Sequence, residues 1–271
     1  MNGKFLVMTL LLTVCVHAQQ TENYLPAIED NSFFIEEAYN QETGVIQHIS
    51  NGVYFRQPQR NIIYTFTEEW PLKSITHQIS FTVPYGFLNQ NTVRGIGDVI
   101  LNYRYQMLTK EDWAASSPRL SLIFPTGNEG QGLGLGSAGV QVNLPFSKRI
   151  SNEFVTHVNA GFTLLPRINV ALPNGESEKK SLSSYNIGAS VIWLVKSNFN
   201  VMFEYLTNFN GEVDKSGEIS HSTETILSPG FRVAIDIGSL QVVPGFALPF
   251  SFTKDEMRVG SFFYLSFEHP F

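Results

Sequence analysis

The constraint that most limits this chain is a strict two-residue alternation carried through segment after segment. In 96–107 the residues Val99, Leu101, Tyr103 and Tyr105 alternate with Asp98, Asn102, Arg104 and Gln106. In 154–164, Phe154, Val158, Ala160 and Phe162 oppose His157, Asn159, Gly161 and Thr163. Tyr185, Ile187, Ala189, Val191 and Trp193 oppose Ser184, Asn186, Gly188 and Ser190, and Phe199, Val201, Phe203 and Tyr205 oppose Asn200, Glu204 and Asn208. Phe231, Val233 and Ile235 oppose Gly230, Arg232 and Asp236. At the C-terminal end Val259, Phe263, Leu265, Phe267 and Phe271 oppose Arg258, Gly260, Ser266 and Glu268. Side chains of a strand project to opposite faces in turn, so each segment shows one apolar and one polar row to two different media.

The composition of the polar rows decides which media these are. A soluble sandwich also alternates, but its polar row faces bulk water and is rich in Lys and Glu. Here the polar rows carry Asn, Ser, Thr and Gly with a few charges of both signs, charged residues are 15% of the chain, and aromatics reach 13%. That suits a polar lumen and a lipid-facing exterior. Mean hydropathy near zero does not oppose this, because only alternate residues meet lipid. The formal charge of −6 offers no basic footprint for nucleic acid.

Further strands fall near 45–55, 60–70, 75–85, 117–125, 137–147 and 239–250, which brings the total to about twelve. The expected fold is an all-β, antiparallel, up-and-down transmembrane β-barrel over residues 45–271. With the C-terminus on the periplasmic side, the tight connections near 148–152, 196–198 and 238–239 are periplasmic. The longer segments 126–136, 167–181 and 210–222 then lie outside, as barrels of this type have it. The connection 109–117 is long for a periplasmic turn. Tyr64, Trp70, Tyr85, Tyr103, Tyr105, Trp193, Tyr205, Phe246 and Phe250 cluster near strand ends, where interfacial girdles are expected.

Residues 1–18 have the pattern of a secretory signal peptide: Lys4, an uncharged run containing Leu10, Leu11 and Leu12, and Val16-His17-Ala18 ahead of Gln19. Cleavage after Ala18 removes Cys15, so the mature chain would have neither disulfide nor thiol chemistry. The final strand ends on Phe271 with Phe267 on the same face, and it resembles the C-terminal assembly signal that bacterial outer-membrane barrels present to their assembly machinery. The localisation expected is the bacterial outer membrane.

Three stretches carry a wider resemblance. GIGDVILNYRY at 95–105, SPRLSLIFPTG at 117–127 and GLGLGSAGVQV at 132–142 resemble the family named for the meta-pathway of phenol degradation. The similarity runs from about Phe34 to the C-terminus. It implies an outer-membrane barrel concerned with passage of hydrophobic or aromatic compounds.

Asp98, Asn102, Arg104, Arg119, His157, Glu204, Arg232 and Asp236 take lumen parity and are the candidate selectivity residues. Because unpaired charge in a narrow lumen is costly, they are expected to form a ladder of opposite charges together with Glu224, Arg258 and Glu268. Residues 19–44 precede the first strand. Glu36, Glu37 and Tyr39 within them could plug or gate the pore, or the stretch could pack as an extra edge segment at the barrel base.

His48 and Ser50 lie on one face of a strand, and a histidine base can activate a serine. The spacing His48-x-Ser50-Asn51-Gly52 resembles the catalytic strand of outer-membrane phospholipase A, which would make His48 the base and Ser50 the nucleophile. Val53 stands where that family has an arginine, and Asn61 has the wrong parity to orient His48. Polar lumen residues are the simpler reading. The Gly-rich 127–139 stretch lacks the lysine of a P-loop. The histidines have no metal spacing, and Glu212, Asp214 and Glu218 suit a solvated loop as well as a weak calcium site. The function expected is a monomeric, cofactor-free, non-enzymatic channel passing small apolar or aromatic solutes. A lipid hydrolase and a closed structural or adhesive barrel are the alternatives.

Overall fold

A computed structural model describes residues 31–55, 60–172, 175–214 and 216–271. The signal-peptide reading of 1–18 lies outside them. The chain forms one closed antiparallel barrel of twelve strands. In chain order these are β1 (Val45–Phe55), β2 (Asn61–Leu72), β3 (Ser74–Leu88), β4 (Val99–Tyr105), β5 (Arg119–Phe124), β6 (Gly139–Arg149), β7 (Phe154–Ala171), β8 (Ser177–Lys196), β9 (Phe199–Val213), β10 (Ile219–Val233), β11 (Leu240–Ala247, resuming at Phe250–Phe252) and β12 (Met257–Pro270). Each strand pairs with its sequence neighbour. Closure comes from β12 on β1, from Val45 opposite Pro270 to Phe55 opposite Gly260. Among the described residues each of the twelve strands has a partner on both sides, which is the condition for a sheet to stand in hydrocarbon.

The polarity is inside out. The inward rows are polar and buried: Ser80 faces Asn102, Asn102 faces Ser121, Ser121 faces Gln141, and Gln141 faces Thr163 across successive strands. The outward rows are apolar and exposed, with Leu101 opposite Leu122, Leu122 opposite Val140, and Val191 opposite Phe203. Leu122 is 44% exposed and Phe203 50%, whereas Asn102 is 4% exposed. A water-soluble protein of this size rarely shows contiguous apolar surface on such a scale.

Two hairpins run further than the alternation indicates. Strands β7–β8 and β9–β10 continue their ladders to connections at 172–176 and 214–218, well inside the expected outer loops. Beyond the apolar belt the outward row can be polar, as with the paired Asn169 and Lys179, so alternation fades while pairing persists. Leu165, Ile168, Val170 and Leu182 fill the interior of this extension. The loop 125–138 leans over the barrel mouth. Asp98 holds it there, accepting from the backbone N–H of Gly127 at 2.9 Å and of Leu135 at 3.0 Å. Leu133 then seats against Gly86 and Gly95, where a Cβ would lie 2.9 Å from it.

The long connection 106–118 is not a loose turn. It hooks back under the barrel, with Leu108 bridged to Ser116 and Ala115–Ser116 paired to β6. Ala114, Ala115, Ser116 and Ser117 are all buried.

Candidate functional site

What buries the polar rows is the chain's own N-terminal segment. Residues 32–41 thread the lumen rather than packing as an edge segment at the base. Their backbone, which has no ladder of its own, takes its hydrogen bonds from wall side chains. Glu204 of β9 accepts from three consecutive amides with one carboxylate oxygen: Phe33 N at 2.9 Å, Phe34 N at 2.7 Å and Ile35 N at 3.1 Å. Ala38 N donates to Ser147 Oγ at 2.7 Å, Asn40 N to Gln106 Oε1 at 2.8 Å, and Gln41 N to Gln78 Oε1 at 2.6 Å. Ser32 Oγ donates to Ser190 Oγ at 2.7 Å, and Ser117 Oγ to Asn40 Oδ1 at 2.6 Å. A buried irregular backbone is tolerated only when satisfied in this way.

Shape complements these bonds. Phe33 packs on Phe262 and Tyr264, with ring centroids 4.9 and 5.2 Å away, and Phe34 lies 4.9 Å from Phe262. Glycines on the facing rows make room. A Cβ on Gly245 would come within 2.7 Å of the Phe33 ring, one on Gly230 within 2.9 Å, and one on Gly188 would strike the end of Ile35. Below, Tyr39 and Ala38 close on Ala115 of the hook.

Electrostatics lock the middle of the segment. Arg104 and Arg119 are direct cross-strand partners on the inward face, a like-charge pairing that is unfavourable by itself. Glu36 inserts between them. Its carboxylate lies 3.4 Å from Arg104 Nε and 3.0 Å from Arg119 Nε, and accepts from Asn143 Nδ2 at 2.5 Å. Burial works against the charge on Glu36. The two guanidiniums and the amide outweigh it, holding the carboxyl below its ordinary range. Glu37 lies 3.6 Å from Arg104 Nη1, and its carbonyl accepts from Arg104 Nη2.

The remaining candidates divide. Asn102 accepts from Arg119 at 2.9 Å and from Ser121 at 2.7 Å; His157 is fully buried, sharing a 2.6 Å hydrogen bond with Ser147 and meeting the edge of Tyr39. Arg232 is buried on the inward row. Asp236 is not in the lumen: it sits exposed in the short Ile235–Ile237 strand, bonded to Gln241 at 2.9 Å, because β10 already ends at Val233. Asp98 is spent on holding loop 125–138, as described. The expected charge ladder is therefore largely a set of wall-to-segment contacts. Arg258 with Glu224, 3.1 Å apart, is a pair within the wall.

His48 and Ser50 point outward rather than into the lumen. Gln47, Ile49 and Asn51 take the inward row of β1, and Ile49 packs toward the buried aromatics. Ser50 Oγ bonds Tyr64 at 3.0 Å, not His48. His48 instead has Nδ1 3.3 Å from Glu68 and Nε2 3.1 Å from His269 Nε2. Phe267 lies on the outward row of β12; Phe271, one residue beyond the strand, is exposed, and its N donates to Gly44 O at 3.0 Å. Among the described residues no group of three or more His, Cys, Asp or Glu gathers to hold a metal.

Alternation did not single out Phe33, Phe34, Ser147, Gln78 or Glu69. The available signals were indirect: aromatic Phe262 and Tyr264 on an otherwise polar row, and glycines at 188, 230 and 245 on lumen parity.

The segment leaves one side of the lumen free. A cavity of about 200 Å³ lies between it and the wall of β1–β5, with Tyr264 contributed by β12. A dry cavity of roughly 150 Å³ is enough to hold benzene.

No family model matches the chain, and no curated protein matches it. Among solved structures it is similar in fold to an outer membrane channel from Pseudomonas putida F1, with TM-score 0.66, 11% identity, and coverage of 86% of this chain and 98% of that one. It is also similar to the NanC porin, with TM-score 0.54, 8% identity, and coverage of 81% and 98%.

Proposed function

We propose that this protein is a passive channel of the bacterial outer membrane for small solutes, narrowed by its own N-terminal segment. The observation that carries the reading is the inverted polarity: apolar rows exposed outside, polar rows inside, and a chamber beside a lumen segment held chiefly by side chains. Such a wall is stable in lipid and gives a solute a hydrated route. The barrel similarity agrees with this reading, and the NanC porin and the Pseudomonas channel are themselves named for permeation. The resemblance to the phenol meta-pathway family adds an apolar or aromatic solute class. Asn102, Arg104, Arg119, His157, Glu204 and Arg232 would set selectivity through the lumen wall, and Glu36, Glu37 and Tyr39 would gate. The lipid-hydrolase alternative has less support, since Ser50 is hydrogen-bonded to Tyr64 rather than to His48.

The test is solute uptake by liposomes holding the purified protein, compared with a form lacking residues 19–41. Slow uptake by the full mature chain and faster uptake by the shortened one support the reading. Absence of uptake by both, in barrels shown to be folded, would favour a closed structural barrel.

A further inference from the structure

The charges around the chamber do not cancel. Its carboxylates are Glu36, Glu37 and Glu69, and its guanidiniums Arg104 and Arg119. Arg119 is occupied by Glu36, Asn102, Ser121 and Gln141. Arg104 is divided between the carboxylates of Glu36 and Glu37 and the Glu37 carbonyl. Glu69, on the inward row of β2, is met by a neutral donor, Gln78 Nε2 at 2.9 Å. Among the described residues no cation forms an ion pair with it. Three acids thus share two bases, and the surplus sits at Glu69, facing the cavity. Only a proton or a guest cation can neutralise it.

The rest of the lining indicates which guest. Thr67 and Thr82, whose hydroxyls are 2.9 Å apart, and Ser80 stand near Glu69 on the same rows and offer acceptors. An ammonium has three donors to place and no acceptor. On the other sides Phe34, Ile49 and Tyr264 supply an apolar and aromatic surface, which can hold a ring and attract a cation to its face. An anion would meet three carboxylates, and a neutral ring would leave the surplus charge unanswered.

We propose that this chamber binds a small organic cation, a primary amine carrying about one ring, with its ammonium at Glu69 and its apolar body on Phe34, Ile49 and Tyr264. This rests on the channel reading and narrows its solute class: the aromatic solutes preferred are those bearing an amine.

The experiment uses three probes of one shape, benzylamine, benzyl alcohol and benzoate, on the mature chain. Binding is measured by calorimetry in detergent and passage by liposome uptake. Benzylamine is expected to bind about tenfold more tightly than the alcohol, with benzoate weakest. Glu69→Gln brings the binding of amine and alcohol within about twofold of one another. Glu68→Gln, one residue away but on the outer face, alters neither. Equal binding of amine and alcohol, or an amine preference that survives Glu69→Gln, overturns the proposal; a proton then neutralises Glu69. Amine binding without passage of any probe would retain the site and sink the channel reading. Passage of the alcohol without amine preference would do the reverse.

Discussion

At the residue scale, Glu204 is the strongest single hold on the lumen segment. One carboxylate oxygen receives three backbone amides, and bonds to a charged acceptor are each worth roughly 1.5–3 kcal/mol. Glu204→Ala strands those amides, so residues 31–41 should become open to added protease while the barrel stays folded. Proteolytic mapping of wild type and variant in detergent checks this; equal protection would show that the anchor lies elsewhere. Gly245 tests shape instead of charge. Gly245→Ala places a methyl against the Phe33 ring, an overpacking of about 1–3 kcal/mol, and should loosen the segment in the same assay. Adding Phe33→Ala removes the opposing ring and should restore much of the protection, so a double variant as labile as the single one would contradict the niche.

At the scale of elements, the segment behaves as a ligand of its own barrel, and Glu36 makes its docking depend on pH. The folded carboxyl titrates below its ordinary value, so its contribution is complete above the ordinary carboxylate range. It is lost as pH falls through the lowered folded value. Protonation also leaves Arg104 and Arg119 side by side with no charge between them. Acidification should therefore loosen the segment before the barrel unfolds, and Glu36→Gln should already be loose at neutral pH and respond less to acid, the remaining response coming from the Glu204 carboxylate that holds residues 33–35. Hydrogen exchange of the amides of residues 32–41, followed by mass spectrometry from neutral to acid pH and corrected for the intrinsic rate, measures both. The strands were legible because their pattern is local: a two-residue period needs no knowledge of partners. The docked segment was not, because Phe33 to Gln41 has no period and its hydrogen-bond partners lie up to 171 positions away. Strand β1 shows the limit of parity. Ile49 and Val53 face inward to meet the segment's aromatics, so apolar residues occupy both rows and the face of His48 and Ser50 is ambiguous in the sequence. Asp98 and Asp236 carry the right parity but lie where the strand has given way to a loop or a short hairpin.

At the scale of the whole molecule, everything depends on which medium the exposed apolar rows meet. The chain's one cysteine is Cys15, in the expected leader, so single cysteines can be introduced without background and spin-labelled. The most direct measurement is paramagnetic accessibility in lipid bilayers at Leu122 and Phe203 on the outer rows and at Asn51 and Thr82 on the chamber wall. The account predicts that labels at 122 and 203 collide with oxygen, which dissolves in acyl chains, and are shielded from a water-soluble nickel chelate. Labels at 51 and 82 should show the opposite balance. If the outer labels meet the chelate as freely as the inner ones, the barrel does not stand in lipid and the channel account is wrong.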